Sequence, residues 1–264
     1  EYDPVLAEER HGNPFRISTL RPIQMSNPNV LNALKKGRQS FTTEEWKKFL
    51  MRSAGLEPEL FSQRALMVVL LRMIPFVEKN YNLVEIGPRG TGKSHLYQQI
   101  SPYSHLVSGG KATVAKMFVN NSTGQRGLVC QYDVVCFDEI SGISFDSKDG
   151  VNIMKGYMES GEFSRARESI RAEGCIVMVG NFDVDVEQQQ RIGHLLGTLP
   201  AEMRDDTAFH DRLHAFVPGW DFPKLKPKEH LTDHFGLVTD FLSECWSQMR
   251  ESTRISALQN RIFW

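Results

Sequence analysis

Eight residues, GPRGTGKS from Gly87 to Ser94, fit the pattern G-x-x-x-x-G-K-[ST]. A loop that wraps phosphates must turn successive N–H groups inward. Gly87, Gly90 and Gly92 leave the backbone free to do this, and Pro88, Arg89 and Thr91 complete the cradle. In that chemistry Lys93 reaches the β- and γ-phosphates of a nucleotide and Ser94 ligates Mg2+. The alternative is a chance match in a glycine-bearing turn. The apolar NLVEIG before the motif and the helical pattern after it weigh against that.

About 45 residues downstream, VVCFDEI ends an apolar run in Asp138 and Glu139. Placed at the carboxyl end of a buried strand beside the phosphate loop, Asp138 holds Mg2+ and Glu139 polarises an attacking water. DE pairs also end many solvated turns, so the spacing carries this assignment. A third apolar run, CIVMVGN, ends in Asn181, which reaches the lytic water or the γ-phosphate if its strand lies between the other two. NFDVD from Asn181 to Asp185 lacks the lysine of a guanine-reading NKxD motif, so ATP is the expected nucleotide. Arg212, in FHDRLHAF, is a cation that can reach a neighbouring subunit's γ-phosphate, or else a surface arginine paired with Asp211 or Asp205.

These groups need a frame. From Tyr81 onward, apolar strands alternate with helical patterns that start near Lys93 and run through VNIMKGYMES, which predicts an α/β fold with a parallel sheet flanked by helices. Ahead of it, FTTEEWKKFLMRSAG reads as a helix with Thr43 as N-cap and Gly55 as its stop, and Pro75 should bend or end the helix that follows. The expected organisation is a linker and helical segment over 1–80, a nucleotide-binding core over 81–220, and the start of a helical lid over 221–264. Glu1 in place of methionine and the abrupt NRIFW end read as a piece cut at both ends.

With 31 basic and 32 acidic residues in 264, the chain cannot meet a polyanion with its whole surface, so any such contact needs a local patch. SRARESIRAEG supplies one, with three arginines. The four cysteines form no CxxC pair and read as reduced thiols of a cytoplasmic protein. The apolar run Leu66 to Leu71 stops at Arg72, far short of the ~18 residues a membrane span needs.

The order of phosphate loop, strand-terminal DE, strand-terminal Asn and downstream DR resembles the AAA+ ATPases, a P-loop NTPase class that normally works as rings. Two insertions, HLVSGGKATVAKMFVNNSTGQRGLV and EFSRARESIRAEG, are similar in placement to the helix-2 insert and pre-sensor β-hairpin of MCM replicative helicases. The runs STLRPIQM, FTTEEWKKFL, RMIPFVEKNYNLVEIGPRGTGKSH, LVSGGKATVA, DVVCFDEISGISF, DGVNIMKGYMESGEF and FVPGW resemble the BrxL family of Lon-like AAA+ proteins of BREX phage-defence systems. The resemblance implies an MCM-like core using ATP and Mg2+, self-assembly into a hexameric ring or stacked rings around double-stranded DNA, and other BREX components as partners. It also implies a carboxyl-terminal Lon-protease-like domain. Only a helical segment follows FVPGW here, so proteolysis is not assigned.

On this reading Arg212 acts in trans, although the usual RF pair is here Arg212-Leu213. Arg165, Arg167 and Arg171 on the hairpin, with Lys111 and Lys116 on the other insertion, face the pore and neutralise DNA phosphates; Lys148 is nearby in sequence. The competing function is a polypeptide unfoldase, with Phe118 in Met117-Phe118-Val119 as the gripping pore residue.

Overall fold

The computed structural model describes residues 29–120, 122–145, 148–165, 168–182 and 195–252. Three helices lead in: α1 (Val30–Arg38), α2 (Thr43–Ser53) and α3 (Gln63–Val77). The core alternates β1 (Leu83–Gly87), α4 (Lys93–Gln99), β2 (Ser104–Ala112), the short α5 (Val114–Met117) and α6 (Leu128–Gln131), β3 (Val134–Phe145) and α7 (Lys148–Ser160). A hairpin, β4 (Glu162–Arg165) and β5 (Glu168–Arg171), precedes β6 (Cys175–Asn181). Then come α8 (Ala201–Arg204), α9 (Thr207–His210), β7 (Ala215–Pro218), α10 (Pro227–His230) and α11 (Thr239–Met249).

The five long-range strands form one parallel sheet in the order β2-β3-β6-β1-β7. Both faces are covered, as parallel pairing with helical crossovers requires. Alternation along each strand divides the core. Val84, Ile86, Val135, Phe137, Ile176 and Met178 face α7 and the insertions. Leu83, Val134, Cys136, Cys175, Val177 and Val179 face α3, α4 and α11. The sheet therefore delivers the carboxyl ends of β1, β3 and β6 to one edge, with β6 between the other two.

Two local expectations change. Helix α2 is capped by Thr42 rather than Thr43: the Thr42 hydroxyl accepts from the Glu45 N–H, and the Glu45 carboxylate accepts from the Thr42 N–H at 2.8 Å. That reciprocal box fixes the start one residue earlier; Gly55, at φ +83°, terminates the turn as expected. Pro75 neither ends nor breaks α3, which runs on to Val77. Pro75 removes one backbone bond, that to the Leu71 carbonyl, and the carbonyls left open at the helix end are capped from outside. Arg250 donates to the Pro75 and Glu78 carbonyls, both at 2.6 Å. Helix α11, which carries Leu242 and Trp246, packs into the core beside α1 and α3.

Candidate active site

The phosphate loop leaves β1 at Gly87, which is in register with Asn181 on β6. A β-carbon on Gly87 would lie 2.5 Å from the Gly219 carbonyl carbon, so the turn after β7 packs directly on the loop's first residue. Gly90 and Gly92 take φ +83° and +73°, the left-handed conformations that glycine adopts without cost.

Lys93 is 5% exposed and folded back on the loop, donating to the Pro88 carbonyl at 2.7 Å and the Gly87 carbonyl at 3.2 Å. Burial pushes its ammonium down from 10.5 to about 8, against the opposing pull of Glu85. The Ser94 hydroxyl donates to Asp138 at 2.7 Å, joining the loop to β3 just past the residues that pair with β6. That hydroxyl and carboxylate form the hard oxygen pair Mg2+ prefers, so the residues fit the ion.

Glu139 is exposed at φ +51°, a backbone conformation that costs a non-glycine residue roughly 1–3 kcal/mol. Pairing of β2 with β3 explains it. Ser108 faces Asp138 but Gly110 faces Ile143, so β3 bulges outward just where Glu139 sits. The Glu139 N–H donates back to Asp138 at 3.0 Å.

Loop residues Arg89 to His95, with Asp138, Glu139 and Asn181, line one cavity of about 260 Å³. The ends of β1 and β6 and the loop thus converge with Asp138 and Glu139, which lie inside β3 rather than at its end, because β3 runs on past them beside β2 to Phe145. A neighbouring cavity of about 440 Å³ shares Thr91, Gly92 and His95 and extends between Leu56 and Leu231. Its apolar walls suit a nucleoside base next to the phosphate cradle.

Arg212 is not among the residues lining the 260 Å³ cavity. Its guanidinium binds the end of α7 in its own chain, donating to the Lys155 carbonyl at 3.0 Å and pairing with Glu159 and the Ala208 carbonyl. The alternative reading named Asp211 or Asp205 as its partner; the ion pair found is with Glu159.

The hairpin forms as expected, with Phe163 and Ile170 buried and Ser164, Ser169 and Arg171 exposed. Arg171 stands in register with Glu162, and Arg165 with Glu168; Arg167 lies outside the described residues. Lys111 falls in β2 opposite Ser144. Lys116 is exposed and, with Arg126, lines a polar cavity of about 360 Å³ on the other insertion. Arg126 is a basic residue there that the sequence reading passed over.

Phe118 is 1% exposed and packs edge-on to both Tyr157 and Phe163. The pore-loop expectation for it is therefore corrected: its ring closes the core beneath the hairpin, which an apolar Met-Phe-Val run needs more than solvent.

The sequence reading also missed a buried pair. Arg72 of α3 and Glu85 of β1 are 1% and 0% exposed and joined by two hydrogen bonds of 2.9 and 2.6 Å. The signal was present as one charge in each of two otherwise apolar runs, LMVVLLRMI and NLVEIG.

A family model described as "Lon-like protease BrxL-like, ATPase domain" matches residues 15–264. The chain is 49% identical over 251 residues to "Lon-like protease BrxL" of Escherichia coli O9:H4 (strain HS), and 46% identical over 251 residues to the protein of the same description from Bacillus cereus (strain H3081.97). Each alignment covers 95% of this chain but only 36% and 37% of the respective relative, so the chain spans about a third of their length.

Proposed function

The chain belongs to the BrxL family as its ATPase domain, and from that premise we propose that it hydrolyses MgATP, assembles into a ring with copies of itself, and encircles duplex DNA in an ATP-dependent manner as part of BREX phage defence. The observation that carries the reading is the convergence of Lys93, Ser94, Asp138, Glu139 and Asn181 on one cavity at the carboxyl edge of the sheet.

The loop N–H groups receive the phosphates, and Lys93 exchanges its carbonyl partners for β- and γ-phosphate oxygens. Ser94 and Asp138 would hold Mg2+, which when bound neutralises charge on those oxygens. Glu139 takes a proton from water as the water oxygen bonds to the γ-phosphorus. The bond to the β-phosphate oxygen breaks, releasing ADP and phosphate. Asn181 orients the water or the γ-phosphate. Arg212 acts on the neighbouring subunit's nucleotide, which requires it to exchange Glu159 for phosphate.

Support for DNA as the encircled polymer comes from the arginines of the hairpin, from Lys111, Lys116 and Arg126 on the other insertion, and from the burial of Phe118, the residue that would have gripped a polypeptide. The test is Glu139→Gln. Loss of the base is expected to lower kcat by at least ~100-fold with KM little changed. The ATP-trapped protein should then hold duplex DNA with an affinity that falls steeply with salt. Near-normal turnover, or DNA binding indifferent to ATP, contradicts the proposal.

A further inference from the structure

Arg72 has a third partner besides the two oxygens of Glu85. Its remaining terminal nitrogen donates to the Thr91 carbonyl at 3.1 Å, at the crown of the phosphate loop. The guanidinium is covered by the Phe222 ring, 4.7 Å from its centroid. Other loop carbonyls are held as well: Lys93 binds those of Gly87 and Pro88 from the cavity side, and the Leu225 N–H binds that of Gly90 at 2.8 Å. In a planar trans peptide the C=O and the following N–H point in opposite directions. A carbonyl drawn toward the core therefore turns its partner N–H outward.

We propose that Arg72 is a positioning residue for nucleotide: locked by Glu85, it draws the Thr91 carbonyl inward and so aims the Gly92 N–H at the bound phosphates. A buried guanidinium needs all its donors satisfied in any case; what marks this third bond is that its acceptor is a carbonyl of the phosphate loop. The pair itself can often be exchanged for apolar side chains without loss of stability. Glu85 fixes the plane of the guanidinium fork, which a lysine cannot reproduce because a single ammonium lacks the planar donors to serve a carboxylate and a carbonyl together. The Arg72 charge also bears on Lys93, contributing to its lowered basicity. This inference rests on the ATPase reading above.

The experiment measures binding of a fluorescent ATP analogue and the apo melting temperature for the full chain, Arg72→Met/Glu85→Leu, Arg72→Lys and Lys93→Ala. The apolar double variant preserves volume and leaves no orphaned charge; Arg72→Lys retains a cation for Glu85 and decides the matter if the double variant does not fold. Expected is at least a ~10-fold loss of nucleotide affinity in both Arg72 variants at an apo melting temperature near the parent's. Affinity within about twofold of the parent, or a loss that only tracks a lowered melting temperature, overturns the proposal. A parent chain that binds ATP no better than Lys93→Ala fails the ATPase reading instead, and so the two failures are told apart.

Discussion

At the residue scale, Lys93 is poised between two sets of partners. Without nucleotide it is desolvated against backbone carbonyls with a pKa pushed down to about 8; phosphate oxygens favour its charged form and raise that value on binding. The bound state then holds more protons than the free state above pH 8, so ATP affinity is expected to fall as pH rises from 8 toward 10, by up to tenfold per unit. Titrations in buffers of different ionisation enthalpy at pH 8.5 should show proton uptake on binding, and a flat affinity profile would remove Lys93 from that role. Stability of the free chain moves the other way. Between 8 and the unfolded value of 10.5 the unfolded chain carries more protons, so this group's contribution to stability rises with pH there. Glu139 shows the same economy in its backbone, which is held left-handed by a bulge that aims the carboxylate off the strand axis.

At the scale of elements, much of this was legible. The residues proposed for catalysis terminate apolar runs, and an apolar run ending in a polar group at the edge of a parallel sheet has one place to go. Asn181 needed β6 between β1 and β3, a condition that sequence can state and only strand order can meet. Burial of Phe118 and the pairing of Arg72 with Glu85 were not legible, because both depend on which elements meet across the sheet, residues 13 to 45 apart in the chain. Thr42 and Thr43 are chemically identical candidates, and only the reach of the Glu45 side chain chooses between them. The buried position of Phe118 has an energetic consequence: Phe118→Ala should destabilise the fold by about 3–5 kcal/mol through cavity formation, measured by denaturant unfolding, and should lower every activity in parallel. A variant of normal stability with a selective defect would restore the pore-loop reading.

At the scale of the whole molecule, the hairpin from Glu162 to Glu173 carries three arginines but also three glutamates, and Arg171 and Arg165 each stand in register with one of them. With the charges balanced in one copy, the proposed ring would gain affinity for DNA by repeating the feature. Ring assembly also completes the active site if Arg212 works in trans. Mixing Arg212→Ala subunits with Lys93→Ala subunits should restore part of the ATPase activity that each lacks alone, because some interfaces then join an intact loop to an intact arginine. Mixed rings without any recovery would assign Arg212 to its Glu159 contact on α7 and nothing more. The contact lies on α7, which leads directly into the hairpin, and the hairpin into the strand that ends at Asn181.

The close packing of Gly219 on Gly87 places Trp220 beside the phosphate loop, where its ring stacks on Phe182, the residue after Asn181, at 5.6 Å. An indole packed against Phe182 and Phe216 is an intrinsic fluorophore at the margin of the site. With Trp46, Trp246 and Trp264 replaced by phenylalanine, its emission reports on that packing with no label attached.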